Sequence, residues 1–305
     1  MQRSLFAFTS CAVTILFSPA ASAQLTAAQP DWSAVTAAMG RAGTLQPDGV
    51  MKFSFPRSDL NVTLDGVRLK PSFALGTWIA FKRLNSRDAM VMGDLVLTEL
   101  EVPAVMSRLE ESGWVMETAL HNHLLGESPR VVYMHIHNDG DARLIATVIH
   151  GALALTGTPI TAVNNPPASV PIELDTATIK RILGYAGKVN DGVYQVSVPR
   201  HERIQMGPVE IPRSMGVSTA INFQPTGSGT AAITGDFVLT AGEVPKVISA
   251  LRRNGIIVTA LHNHMLVETP TLFFMHFWAK DDVVKLATGL RVALDAMDRE
   301  RAANK

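Results

Sequence analysis

The stretch Thr118-Ala119-Leu120-His121-Asn122-His123-Leu124-Leu125-Gly126-Glu127-Ser128-Pro129 decides how this chain is read, because its chemistry returns 141 residues later. His262-Asn263-His264 and Glu268 repeat His121-Asn122-His123 and Glu127, and His276 repeats His135 (262 − 121 = 268 − 127 = 276 − 135 = 141). A duplicated chain has every chance to lose such residues from one copy. Both sets of three imidazoles and a carboxylate survive here, so the pair of clusters is where function is to be sought.

Outward from these clusters the repeat continues. Gly93-Asp94-Leu95-Val96-Leu97-Thr98 matches Gly235-Asp236-Phe237-Val238-Leu239-Thr240, Glu101-Val102-Pro103 matches Glu243-Val244-Pro245, and Pro56-Arg57 matches Pro199-Arg200. An internal repeat sets the domain map before anything else does. It predicts a repeat lobe over 24–157, a linker over 158–171 containing Asn164-Asn165-Pro166-Pro167, and a second lobe over 172–305.

Within each lobe the periodicity predicts a short helix (Trp32 to Met39; Thr176 to Leu183) and then a strand (Val50 to Phe55; Val193 to Val198). In the first copy, strands follow at Thr77 to Leu84 and Met90 to Leu97. Val102, Val105, Met106 and Leu109 then stand at helical spacing up to Gly113, a helix stop. Two more strands (Val115 to Leu124; Val131 to Asn138) precede a closing helix from Asp141 to Leu155. The expected fold is α+β: two tandem homologous lobes, each a mostly antiparallel sheet with helices packed on one face.

Alternation along a strand puts His121 and His123 on one face and Asn122 on the other, where it is expected to satisfy backbone groups. A tight hairpin loop over 126–130 would set His121 opposite His135 and His262 opposite His276, at chelating distance for two imidazoles. The expected ligands of a divalent transition metal are therefore His121, His123, Glu127 and His135 in one lobe and His262, His264, Glu268 and His276 in the other. Zinc is the first expectation, and manganese, iron, nickel or copper also suit the donors. Glu127 and Glu268 double as candidate catalytic bases beside a metal-bound water. Other polar residues read more plainly. His137, whose counterpart is Trp278, is expected to be a pocket wall, and His150 and His201 solvated side chains. Asp94 and Asp236 are candidates to orient a ligand imidazole or to cap a turn near a strand end. Arg57 and Arg200 are expected in surface salt bridges, with a hold on an anionic substrate as the alternative.

Composition narrows the class. With 47% hydrophobic and 18% charged residues the chain is globular, and 27 basic residues balance 27 acidic ones. That balance gives no electrostatic case for nucleic acid. Arg3, the apolar Leu5 to Phe17 and Ala21-Ser22-Ala23 read as a signal peptide over 1–23, too short to span a membrane. The expected location is periplasmic or secreted. The single cysteine, Cys11, lies inside that segment, so the expected mature chain has no thiolate ligand. The expected partner is a small-molecule or cell-envelope ligand, and the oligomeric state is open.

The letters HNH invite a nuclease reading, which lacks the basic surface it needs, and no pair of histidines stands four apart on a helix as zincin chemistry requires. HxH, three residues and Glu make the first half of a cupin metal motif, but the third histidine comes too soon. The run Gly93 to Leu97, then Thr118 to Pro129, then Tyr133-Met134-His135-Ile136-His137 resembles the LppY/LpqO family of exported bacterial proteins, built on a domain of unknown function. The resemblance spans nearly the whole mature chain in two copies and implies export. Three readings stand together: a metal-dependent hydrolase (or a cupin-like oxidase or lyase with Glu as ligand), a non-catalytic metal-holding module, and a metal-free binding module for cell-wall or carbohydrate ligands.

Overall fold

The computed structural model describes residues 31–161 and 171–297, so the expected signal segment and most of the expected linker, 162–170, lie outside the described residues. The first repeat runs α1 (Ser33–Met39), β1 (Thr44–Leu45), β2 (Met51–Pro56), β3 (Thr63–Leu64), β4 (Val67–Arg68), α2 (Pro71–Ala74), β5 (Gly76–Arg83) and β6 (Asp88–Thr98). It continues α3 (Val102–Ser112), β7 (Met116–His121), β8 (Val131–Asp141) and α4 (Ala142–Leu153). The second runs α5 (Thr176–Leu183), β9 (Gly187–Asn190), β10 (Val193–Pro199), β11 (Gln205–Met206), β12 (Val209–Glu210), a 3-10 turn (Arg213–Met215) and β13 (Ser218–Gly227). It ends β14 (Thr230–Leu239), α6 (Val244–Arg253), β15 (Ile257–His262), β16 (Glu268–Thr269), β17 (Phe273–Asp282) and α7 (Val283–Met297).

Each repeat builds a six-stranded antiparallel sheet in the same order, β1-β2-β5-β6-β8-β7 and β9-β10-β13-β14-β17-β15. The α+β class and the two sheet-rich lobes are as the pattern predicts. Strand β6 shows why the helices take one face only. Ala89, Val91, Leu95 and Leu97 alternate onto the face covered by α1, α3 and α4, packing with Met39, Leu109 and Ile145. Met90, Met92 and Val96 alternate onto the other face, away from α1, α3 and α4, and they are buried all the same.

What covers that inner face is the second lobe. Ala80, Met90 and Met92 pack with Met215, Val238, Leu272 and Phe274, and Phe73, Leu75 and Tyr133 pack with Val193, Ala232 and Trp278. The longer helices thus lie outside and two sheets meet inside, with the four-residue α2 packing against both of them through Phe73. Polar ties cross the plane between the sheets: Gln224 accepts from the Lys70 amide at 2.9 Å and donates to the Arg68 carbonyl at 2.8 Å.

Local signals act as expected at helix ends. Pro103 sits in the first turn of α3, and Gly113 ends it at φ 65°, a left-handed conformation that glycine adopts without steric cost. Asp141 is the N-cap of α4, accepting the Leu144 amide at 2.9 Å.

The β7–β8 hairpin differs from the expected register. His121 faces Tyr133 and Ala119 faces His135; in the second copy His262 faces Phe274 and Ala260 faces His276. The reason is that β7 stops at His121, so the connection spans 122–130 and holds His123; a β-bulge at Thr118 (Thr259 in β15) then shifts the pairs beyond it by one residue. The displacement is two residues. Because two is the side-chain period of a strand, His121 and His135 still share the inner face. Asp94 and Asp236 also differ from the expected strand ends, lying within β6 and β14 directly across from His135 and His276.

Candidate functional site: a six-histidine cluster between the lobes

Six imidazoles meet on the inner mid-plane, three from each repeat. They stack across it in pairs, with ring centroids 3.5 Å apart for His121 and His262, 3.6 Å for His123 and His276, and 3.6 Å for His135 and His264. The outer rings are sandwiched again, His123 on Tyr133 and His264 on Phe274, both at 3.4 Å. The expected sets of histidines, one per lobe, adjoin here. The nearest nitrogens of His121, His123, His135 and His262 lie within 4.8 Å of one another, so one group crosses the lobe boundary, and His262 also belongs to the group of His262, His264 and His276.

The backbone fixes how the rings face. His276 Nδ1 donates to the Gly235 carbonyl at 2.9 Å, and His135 makes the equivalent bond to Gly93. His121 and His262 turn Nδ1 toward the carbonyls of Asn122 and Asn263 at 3.4 and 3.3 Å. A carbonyl only accepts, so the proton sits on Nδ1 and Nε2 presents its lone pair inward. The asparagine amides hold the loop that carries these carbonyls, Asn122 donating to Leu124 O at 2.9 Å and Asn263 to Leu272 O at 2.7 Å. All six Nε2 atoms are buried and none has a hydrogen-bond partner. Buried polar atoms are nearly always satisfied, so six orphans at one place mark a site built for something else.

Burial pushes every one of these imidazoles toward the neutral form. His121 is lowered to about 4 and His262 to about 3, while His123, His135, His264 and His276 fall well below the usual histidine range, helped by one another's proximity. Neutral imidazole is the form that donates a lone pair to a metal.

Two carboxyl groups adjoin the rings. Asp94 Oδ1 is 3.9 Å from His135 Nδ1, and Asp236 Oδ1 is 3.9 Å from His276 Nε2; both oxygens are buried without a hydrogen-bond partner. Burial raises both carboxyls well above the usual carboxylate range. Lys52 opposes the rise at Asp94, and the nearness of Asp94 adds to it at Asp236.

Glu127 and Glu268 are buried but are not among the atoms that converge with the imidazoles. Each also holds its own turn: the Val131 amide donates to Glu127 Oε1 at 3.5 Å and the Leu272 amide to Glu268 Oε1 at 2.7 Å, while Glu127 Oε2 is buried without a hydrogen-bond partner. Two expectations are corrected. Arg57 and Arg200 are buried rather than at the surface. Arg57 pairs with Asp59 at 2.8 Å and Glu101 at 2.9 Å, and Arg200 pairs with Glu202 at 2.6 Å and Glu243 at 2.9 Å. His150 is half-buried and ties α4 to α1 through the Met39 carbonyl at 3.1 Å. His137 stays outside the cluster on the Val91 carbonyl at 3.0 Å, and His201 is exposed.

Fold and site together define a duplicated α+β protein whose two copies pool their histidines in one shared cluster. The chain belongs to the family described as Domain of Unknown Function (DUF1259), whose model matches residues 33–155 and again 177–296. No curated protein and no solved structure matches it.

Proposed function

We propose that this protein is an exported metal-binding protein whose two lobes share one polyhistidine centre made by His121, His123, His135, His262, His264 and His276. The observation that carries the reading is the set of six buried, unpartnered Nε2 atoms. An all-nitrogen donor set suits zinc, copper, nickel or iron and disfavours magnesium and calcium, which take oxygen. Export rests on the signal-like residues 1–23 and on the resemblance of the Thr118–Pro129 run to the LppY/LpqO family.

A divalent ion held here would supply Lewis acidity and would lower the pKa of any water it bound. Glu127 and Glu268 fall outside the two nitrogen groups, and each gives one carboxylate oxygen to a turn amide, while the other oxygen of Glu127 is buried without a partner. Backbone carbonyls behind His121, His135, His262 and His276 set the tautomer and ring orientation, the usual role of groups behind metal-ligating imidazoles.

The test is metal content of untagged protein as isolated, followed by titration with zinc, copper and nickel. Uptake that is lost in His121→Ala/His262→Ala, while the far-ultraviolet circular dichroism is kept, supports the reading. Protein that arrives without metal and takes up none of the three would sink it.

A further inference from the structure

We infer that the centre is dinuclear, with one ion for each histidine triad and with Asp94 and Asp236 as buried carboxylates that offset part of its charge. This rests on the metal reading above and adds its stoichiometry and its counter-charges.

The first argument is geometric. A tetrahedral ion takes four of the six nitrogens. An octahedral ion with metal–nitrogen bonds of about 2.1 Å needs its most distant donors only about 4.2 Å apart. Here the nitrogens fall into two groups, each compact within 4.8 Å, rather than one neighbourhood of six. A single ion at either group leaves nitrogens of the other buried and unsatisfied. Two ions satisfy all six, three from each repeat, which is also what the duplication of the triad implies. His262 belongs to both groups and lies at the join, stacked on His121.

The second argument is charge. Two divalent ions on six neutral imidazoles put four positive charges into the space between two sheets, where burial makes unbalanced charge costly. Each lobe places one carboxyl beside that space, Asp94 opposite His135 and Asp236 opposite His276 on the neighbouring strand. Each has an Oδ1 atom with no hydrogen-bond partner, 3.9 Å from the facing imidazole. Neither carboxyl is part of the two nitrogen groups, so they act beside the ligands, as positioning and charge-balancing residues.

The experiment is zinc titration of the full chain, with zinc per protein counted by elemental analysis after desalting, on wild type and on Asp94→Asn/Asp236→Asn. Two zinc ions per wild-type chain are expected. The isosteric, uncharged variant is expected to bind the second ion at least tenfold more weakly, with metal-free thermal unfolding no worse than wild type. One tightly held zinc per wild-type chain overturns the dinuclear inference and leaves the metal reading standing, whereas none overturns both. Two ions bound with unchanged affinity by the variant overturn the assignment of the aspartates. Should the double variant fail to fold, Asp94→Asn and Asp236→Asn are read singly, and the wild-type count stands by itself.

Discussion

Thr118 donates its hydroxyl to the backbone carbonyl of His264 at 2.5 Å, reaching from the bulge of one lobe to the histidine loop of the other. Thr259 returns the bond to the His123 carbonyl at 2.6 Å. Each bulge turns one side chain out of its ladder and uses it to hold the opposite lobe's HxH segment. The site is thus cross-braced by residues that are not in it. Thr118→Val/Thr259→Val keeps shape and removes both donors from carbonyls in a half-buried setting. We expect a loss of roughly 1–3 kcal/mol per bond in urea unfolding, together with weaker metal uptake. Unchanged stability and uptake would remove the brace from the account.

Arg57 is fully buried and depends on Asp59, Glu101 and the Val96 carbonyl. Glu101→Gln leaves a buried cation short of a partner, which typically costs about 3–5 kcal/mol. The same pair sets an acid limit. Burial alone would raise the Glu101 carboxyl, but hydrogen bonds from Arg57 and from the Gly157 and Thr98 amides outweigh it and hold it low. A lowered folded-state value means that this stability is fully present above the unfolded value of about 4.3. It is lost as pH falls from there through the folded value. Unfolding followed from pH 6 to pH 3 should show a shallower acid decline in Glu101→Gln than in wild type.

Gly235 has no room for a side chain: a Cβ there would stand 2.0 Å from the Ala220 carbonyl oxygen. At the matching Gly93 the first contacts are 2.7 Å to the end of Ile79 and 3.0 Å to the Trp78 oxygen. Backbone yields less than a flexible side-chain tip. Gly235→Ala should therefore cost roughly 3 kcal/mol or more, at or above the top of the usual range for overpacking, and Gly93→Ala about 1–2 kcal/mol, within that range. Because the Gly235 carbonyl also orients His276, metal uptake should fall with stability in the first variant. Equal melting curves for the two would contradict this.

Residues 31–161 expressed alone would expose Phe73, Leu75, Met90 and Met92, all buried in part against the second lobe. An apolar sheet face of that kind seeks a partner. Size-exclusion chromatography should show self-association or aggregation, and a stable monomer would mean that the lobes are independent.

Zinc at a hundredfold excess over its dissociation constant should stabilise the intact chain by about 2.7 kcal/mol for each ion bound, raising the melting temperature by roughly 5–10 °C per ion. His135→Ala and His276→Ala should each reduce that gain, as read by calorimetry with and without a chelator.

Much of this molecule was legible along the chain. The ends of α3 follow from Glu101-Val102-Pro103 and Gly113, and the six histidines follow from a repeat that needs no structure to be seen. Even where the hairpin register was expected two residues away, the strand period kept His121 and His135 on one face. The burial of Arg57 and Arg200 was less visible. Its signal was present in Asp59 and Glu202, each two residues beyond its arginine, and in the repeated Glu101 and Glu243 that complete the pairs.

The sequence by itself determined the duplication, the class of each lobe and which side chains lie on which face, because these follow from periodicity and short-range contacts. Only the tertiary structure decided that the two histidine triads are one cluster. Their stacking crosses the plane where two sheet faces exclude water against each other, and nothing local in the chain records which surface such a face will meet.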